Sequence, residues 1–458
     1  LARVDIVSQS FRNPSDEFSP ELSERMNATA YGTAPSPDAC RQLLLDHVVA
    51  PWFPRSIDRQ FGGFLSSFDR QWRTDGANDK LLEFQARQTL TAAELMMCFP
   101  SIPAIREAVS AGFAFLRDVM WDGAYGGWHR LVDRSGRPAD ADTKHLHGIA
   151  YAIQACYAVS AATGEREAQE LGHRAILWMD EKAHDDRHGG YFELLHRDGT
   201  VCRQGETSTT HDHLGTPLGQ KDMNVHSDLF EAFAYVCMRS DEPLVRQRLD
   251  ELLRIILERY AAPDTDPWFF FDRDWTPASP YVRPATAIQT AGRLFEARRL
   301  WSDPKPLEDA ALRLVAYCFQ HGRNPETGLL VLGRRADRKM TRAELEDAPW
   351  WIQFEALKAL EYCESIRSPR GLERKMKGEL WMNIVSNFID PKHGGIFSGS
   401  RQRLRLLDRL LPTKRRGLTL GKGNLWKDAS HDGRALLRLM APCQPAPSAM
   451  ALPSAMPS

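Results

Sequence analysis

The sequence predicts an all-α fold, a closed (α/α)6 toroid of six inner and six outer helices with short β-hairpins at one end. Two observations carry that prediction. The first is a repeat. Gly-Gly followed by an aromatic or aliphatic residue opens GGFLSSFDRQW at Gly62, GGWHRLVDRSG at Gly126, GGYFELLHRDG at Gly189 and GGIFSGS at Gly394. The first three pairs stand 64 and 63 residues apart, and the last follows after 205, about three such periods. Degenerate copies, DPWFFFDRDW from Asp266 and GLLVLGRRADR from Gly328, fill that gap and bring the units to six. A period of this size marks stacked supersecondary units. The second observation is a contrast between the helical stretches on either side of each glycine piece. Those that follow are apolar nearly all round, and those that precede carry one charged face. The first kind suits burial and the second a surface.

Taken in chain order, residues 1–36 lack sustained periodicity and form an N-terminal arm. The barrel domain spans 37–441, and the Pro/Ala/Ser-rich stretch 442–458 reads as a flexible tail. Within the barrel, the glycine pieces read as a short strand, a polar turn such as DRSG or HRDG, and at some units a return strand. Inner helices are predicted over 80–99, 143–162, 221–239, 285–300, 346–363 and 424–440. Outer helices include 105–121 and 165–183, where the charged face is plain in EREAQELGHRAILWMDEKA. A ligand site belongs where the N-termini of the inner helices converge.

Composition narrows the ligand. Lys and Arg total 59 against 60 Asp and Glu, which leaves no electrostatic footprint for nucleic acid or an anionic membrane. The natural partner is a small neutral molecule, with the protein a monomer or homodimer. The eight cysteines form no CxxC pair and read as reduced core residues. No apolar run is long enough to cross a membrane. No signal-like apolar segment follows Leu1, so the cytoplasm is the expected compartment.

The inner helices begin with polar and aromatic residues that a buried helix rarely carries. They include Gln85 and Arg87; Lys144, His145 and His147; Asn224, His226 and Asp228; Gln289; Trp350, Trp351, Gln353 and Glu355; and Trp426, Lys427, Asp428 and His431. Singly, each has an ordinary reading as a helix cap or a satisfied core group. Their recurrence from one inner helix to the next favours a carbohydrate site, because unpaired buried polar groups are costly. Tryptophan stacks on the C–H face of a sugar while Arg, Asn and Asp bond its hydroxyls. Helical spacing puts Asn224 and Asp228 on one face and turns His226 away from them. Lys144 and His147, three apart, are expected to share a face. His211 and His213 read as loop residues rather than a metal site, and no metal ligand set is expected. His188 and His393 read as turn residues of the repeat.

In order, GGYFELLHRDG, KDMNVHSDLFEAFAYV, PWWIQFEALKAL and WKDASHDGR resemble the N-acylglucosamine 2-epimerase superfamily, over about residues 40–440. That superfamily includes cellobiose 2-epimerases and aldose–ketose isomerases acting on mannose and related sugars. The resemblance implies an (α/α)6 barrel and proton-transfer chemistry at C2 of the reducing end of a sugar, with no metal or redox cofactor. It implies that Arg87 binds near the substrate carbonyl, that Trp350, Trp351 and Trp426 are substrate-binding, and that His431 is one of two catalytic histidines. The chain also departs from the family pattern. Thr286 stands where the other catalytic histidine belongs, Asp228 replaces the second histidine of NxHxH, and His147 replaces a tyrosine.

Chemistry at C2 needs a base, an enediolate with its charge stabilised, and a proton returned to C2 or C1. Histidine suits such transfers. His431 is the first candidate base, with His147 or Asp228 as partner, and Asn224 and Glu355 join the substrate-binding set. With one matched histidine, the residues lean towards isomerisation or an atypical epimerase. Two rival readings remain. One is a glycoside-cleaving enzyme using Asp228 and Glu355 as its carboxylate pair, and the other is a sugar-binding protein without catalysis.

Overall fold

Each glycine pair sits where an outer helix ends and the chain turns towards the centre, and the geometry explains the residue type. Gly189 and Gly190 both have φ near +70°, and a Cβ on Gly190 would lie 2.6 Å from Trp275 and 2.9 Å from His226. Only glycine combines that backbone with so close an approach. The computed structural model describes residues 31–74, 76–138, 143–205, 210–366, 371–400 and 421–440. Residues 1–30 of the predicted arm and the whole predicted tail, 442–458, lie outside the described residues.

Among the described residues, six outer and six inner helices alternate. The outer set begins with α1 (Pro37–Leu44), which passes through a π-helical turn at Leu45–Val49 into α2 (Ala50–Ser56). It continues with α4 (Pro103–Phe115), α6 (Arg166–Ala183), α8 (Pro243–Ile255), α10 (Lys305–His321) and α13 (Gly371–Asn387). Proline near the first turn starts several of them, where its missing N–H leaves no bond unmade. The inner set is α3 (Leu82–Cys98), α5 (Leu146–Thr163), α7 (Met223–Cys237), α9 (Pro284–Ala297), α12 (Trp350–Ile366) and α14 (Ser430–Leu439). Each inner helix packs on the next, and α14 returns to α3, which closes the ring. This is the (α/α)6 toroid the repeat predicts. The inner helices are buried through most of their length, as their all-round apolar character requires.

Two predicted helices start late, and local hydrogen bonding gives the reason. Over 346–363, the short α11 (Arg342–Glu346) closes first under a Thr341/Glu344 capping box, and α12 starts only at Trp350. Over 424–440, the Asn424 side chain accepts from the amides of Trp426 and Lys427, and Asp428 accepts from the amide of Ser430. These side-chain bonds compete with the helix, so α14 starts at Ser430.

Short strands link neighbouring units. β1 (Lys80–Leu81) pairs with β2 (Leu131–Val132), β3 (Thr143–His145) with β4 (Leu194–His196), β5 (Lys221–Asp222) with β6 (Phe270–Phe271), and β7 (Tyr281–Val282) with β8 (Arg334–Arg335), all antiparallel. In every case the strand entering an inner helix pairs with the hairpin of the following unit. A bridge between Phe68 and Gly423 joins the last unit to the first.

A charged triad repeats with the strands. An Asp at the end of an outer helix accepts from the Lys that enters the inner helix of its own unit and from an Arg in the next hairpin. The sets are Asp58 with Lys80 and Arg134, Asp122 with Lys144 and Arg197, Asp185 with Lys221 and Arg273, and Asp390 with Lys422 and Arg70. The last set spans the ring closure. In the degenerate unit at Gly328, Asn324 stands in place of the Asp and bonds only backbone groups through its side chain.

Candidate active site

The starts of the inner helices bring two imidazoles onto two buried carboxylates. His147 and Asp228 project from α5 and α7, with His147 Nδ1 2.5 Å from Asp228 Oδ2. Arg87, one turn into α3, donates from Nη2 to His147 Nε2 at 3.0 Å. A guanidinium can only donate. Nε2 is therefore the acceptor nitrogen, and Nδ1 carries the proton donated to Asp228. His431, in the first turn of α14, donates from Nδ1 to Glu355 Oε1 of α12 at 2.9 Å. The Glu355 carboxylate accepts, so in the neutral ring Nδ1 carries the proton and Nε2 the lone pair.

Both carboxylates are held ionised. Burial alone would raise Asp228, but the Arg293 guanidinium, His147 and Arg87 outweigh it and keep its carboxyl below the usual range. Asp228 also accepts from Tyr151 at 3.1 Å and from Arg293. Burial likewise opposes ionisation of Glu355, and Lys358, 2.9 Å away, together with His431 overcomes it. A pair of carboxylates both fixed as acceptors lacks the protonated general acid that glycoside cleavage requires.

Beneath these pairs, alternating charges run through the barrel. Asp228 leads through Arg293 to Glu231, then through Arg434 to Glu94, Arg438 to Glu296, and Lys358 to Glu355. One continuous chain thus joins the His147 pair to the His431 pair. Arg293, Lys358, Glu231 and Tyr151 join the candidate site through these contacts and are absent from the residues singled out in the sequence. The Glu355–Lys358 spacing and a lone Arg293 inside an apolar helix were the available signals.

The remaining candidates divide. Asn224 lies on the Asp228 face, 3.3 Å from its Oδ2 and 3.4 Å from His147 Nδ1. Thr286 donates to Asn224 Oδ1 at 3.1 Å, so it sits one side chain from His147. Trp351 lies against His431 with ring centroids 5.1 Å apart. Trp350 is buried, meets His431 edge-on, and donates its indole N–H to Asp432. Trp426 is not on a helix. It projects from the turn before α14 and is 41% exposed, the largest exposure of the candidates.

Lys144 does not share a face with His147. It lies in β3, before the helical period begins, and its ammonium goes to Asp122 and the Gly126 carbonyl. His145 caps α5 by accepting from the His147 amide and donates to Asp212 at 2.7 Å. His226 packs edge-on to Trp275 while its ring bonds the backbone at Asp222 and Tyr191. His188 and His393 sit in the glycine turns, their amides donating to Asp185 and Asp390. His211 and His213 bond Thr210 and Thr143.

Comparison with known proteins gives the family and the fold. Residues 62–416 match the family described as N-acylglucosamine 2-epimerase (GlcNAc 2-epimerase). The chain is similar to a cellobiose 2-epimerase of Ruminococcus albus, 24% identical over 356 residues that cover 78% of this chain and 88% of the relative. Its fold is similar to that of the cellobiose 2-epimerase of Spirochaeta thermophila, with TM-score 0.73, 24% identity and coverage of 92% and 97%. It is also similar to a D-mannose isomerase, with TM-score 0.71, 19% identity and coverage of 88% and 96%. Among the described residues, no helix is long and apolar enough to cross a membrane.

Proposed function

We propose, from the premise that this chain belongs to the N-acylglucosamine 2-epimerase family and is a carbohydrate epimerase or isomerase, that it inverts C2 at the reducing end of a sugar with His147 and His431 as the two proton-transfer groups. The carrying observation is that each imidazole is bound through Nδ1 to an ionised carboxylate, 2.5 Å away for Asp228 and 2.9 Å away for Glu355. A carboxylate on Nδ1 orients the ring and stabilises the imidazolium that forms when Nε2 takes a proton.

In this reading the open-chain aldose enters with its C1 carbonyl towards Arg87. The sugar oxygen takes over the Arg87 donor, which releases His147 Nε2. One histidine removes the C2 proton, and electron density moves into the C1–C2 bond and onto the C1 oxygen. Arg87 stabilises that enediolate charge. The other histidine, as imidazolium, delivers its proton to C2 on the opposite face. Two imidazoles favour this two-base route over a one-base shuttle between C2 and C1. Asp228 and Glu355 act as positioning residues.

The position of Thr286 supports His147 in the second role. The family resemblance puts a catalytic histidine at 286, and here that place lies one hydrogen bond from Asn224, which itself neighbours His147. His147 stands on α5, two inner helices from Thr286 on α9, and the Asn224 side chain of α7 links the two positions. Trp351 and the exposed Trp426 suit a ligand larger than one sugar ring, and the relatives named for cellobiose make a reducing disaccharide the first substrate to try. Cys40, Cys156 and Cys318 are buried thiols outside any disulfide, which supports a reducing, cytoplasmic compartment.

The experiment is proton NMR in heavy water over a panel of free hexoses and disaccharides. Deuterium should enter at C2 as the C2 epimer forms. A sugar reduced to its alditol should be inert. Cleavage of such an alditol would establish a glycosidase instead, and the absence of exchange with every sugar that binds would leave a binding protein.

A further inference from the structure

The buried carboxylates of the hairpin ring and of the barrel floor each face a lysine or arginine. Elsewhere among the described residues, three buried carboxylates gather with no lysine or arginine paired to them. Glu193, Asp212 and Asp222 converge at the start of α7, with one oxygen of each within 4.8 Å of the other two. Lys221, next in sequence, is turned away to Asp185 and the Gly189 carbonyl. His145 meets Asp212, and His226 Nδ1 stands 3.5 Å from Glu193 Oε1 while it donates to the Asp222 carbonyl. The Tyr191 amide donates to the other His226 nitrogen, so that ring is neutral and offsets no charge.

The oxygens can be followed one by one. Asp212 Oδ1 accepts from the amides of Leu214 and Thr216. Asp222 Oδ1 accepts from the Val225 amide as the cap of α7, and Oδ2 accepts from the Thr216 hydroxyl at 2.6 Å. Glu193 Oε1 accepts from the Asp222 amide at 2.5 Å. Glu193 Oε2 is buried and has no hydrogen-bond partner, on a side chain whose residue is 5% exposed. A small cavity lined in part by Glu193, Asp212 and Thr216 adjoins it. The N-terminus of α7 offsets some of the charge on Asp222 but leaves that Glu193 oxygen unmatched.

We propose that Glu193, Asp212 and Asp222 bind a hard divalent cation, Ca2+ before Mg2+, which fastens the loop around Asp212 to the start of α7. The donors are oxygens, the set that selects Ca2+, Mg2+ or Mn2+ over zinc. Three carboxylates with oxygens within 4.8 Å of one another suit Ca2+, which takes about six to eight protein oxygens in flexible geometry, better than Mg2+, which keeps several of its waters. The pull on the free carboxyls agrees in direction: burial, then Asp222 and Asp212, drive Glu193 towards its neutral form, a tendency a bound dication reverses.

The role is structural. Asp222 caps the helix that carries Asn224 and Asp228. Asp212 holds His145, the cap of the helix that carries His147. An ion here locks the two helix starts that bring His147 onto Asp228, and no step at the sugar passes through it.

The test does not depend on sugar turnover, so it stands apart from the epimerase reading. Full-length protein, stripped with a chelator and dialysed, is titrated with CaCl2 and with MgCl2 by calorimetry, and its melting temperature is followed with each. One Ca2+ per chain and a higher melting temperature are expected. Glu193→Gln and Asp222→Asn keep the amide acceptor and the helix cap while each removes one charge. Both should weaken Ca2+ binding by about tenfold or more and lose the Ca2+-dependent rise, while melting no lower than stripped wild type. Absence of saturable binding of either ion, or binding unchanged in both variants, would overturn the proposal.

Discussion

His147 stands between Asp228 and Arg87, 2.5 Å from the carboxylate at Nδ1 and 3.0 Å from the guanidinium at Nε2. The ring is thereby fixed in one tautomer, with its reactive nitrogen held as an acceptor. Asp228→Asn removes the charge that selects this tautomer and steadies the imidazolium. Arg293 keeps Glu231 and Ser227 as partners, so the fold should survive. C2 deuterium exchange should fall by about 10²–10⁴ with an unchanged circular dichroism spectrum. Exchange at the wild-type rate in both Asp228→Asn and His147→Phe would exclude His147 from the chemistry.

His431→Asn should abolish turnover, with a loss of about 10²–10⁴ in rate, while calorimetric sugar binding stays near wild type. Glu355→Gln should fall between wild type and His431→Asn, because Nδ1 keeps an acceptor but loses the charge. Unimpaired exchange in His431→Asn would end the proposed mechanism.

The triad at the ring closure should matter unequally by residue. Asp390→Ala strands Lys422, which is fully buried, whereas Arg70 is 35% exposed at its side chain. Removing one partner of a buried pair costs about 3–5 kcal/mol. Urea unfolding should show a loss of that order for Asp390→Ala and a clearly smaller one for Arg70→Ala. Equal losses would mean that solvent does not rescue the arginine side.

His47 should make stability pH-dependent. The Gly395 amide donates to its Nδ1 and its Nε2 pairs with Tyr31, so the neutral ring is the native form. Burial lowers its pKa to about 4, against the opposing pull of Asp46 and Asp390 and with help from Lys422. The unfolded chain then binds the extra proton first. The contribution is complete above about pH 6.5 and is lost as pH falls towards 4, on the order of 3 kcal/mol in all. Urea midpoints measured between pH 4 and 7 should fall less steeply in His47→Gln than in wild type. Parallel profiles would assign the dependence to other groups.

The amino-acid sequence by itself determined the number of units, the alternation of outer and inner helices, the glycine turns and the family. Each rests on a pattern read within one segment or on its recurrence: the helical period, burial on all sides, two glycines in a left-handed turn. The spacing of Asn224 and Asp228 was legible for the same reason. Local rules also marked where the reading strayed. Lys144 was placed by a helical period that starts two residues later, and Trp426 by a helix that the Asn424 and Asp428 side chains delay.

The partners were decided only by the tertiary structure. His147 and Asp228 are 81 residues apart, His431 and Glu355 are 76 apart, and Arg70 reaches Asp390 across 320. Each pair comes from different elements, and ring closure brings the last unit against the first. Nothing in a single segment states which carboxylate an imidazole will meet, because that depends on how six helices rotate to bury their apolar surfaces together. The same packing turned Lys221 away from Glu193 and left an oxygen of that carboxylate buried without a partner.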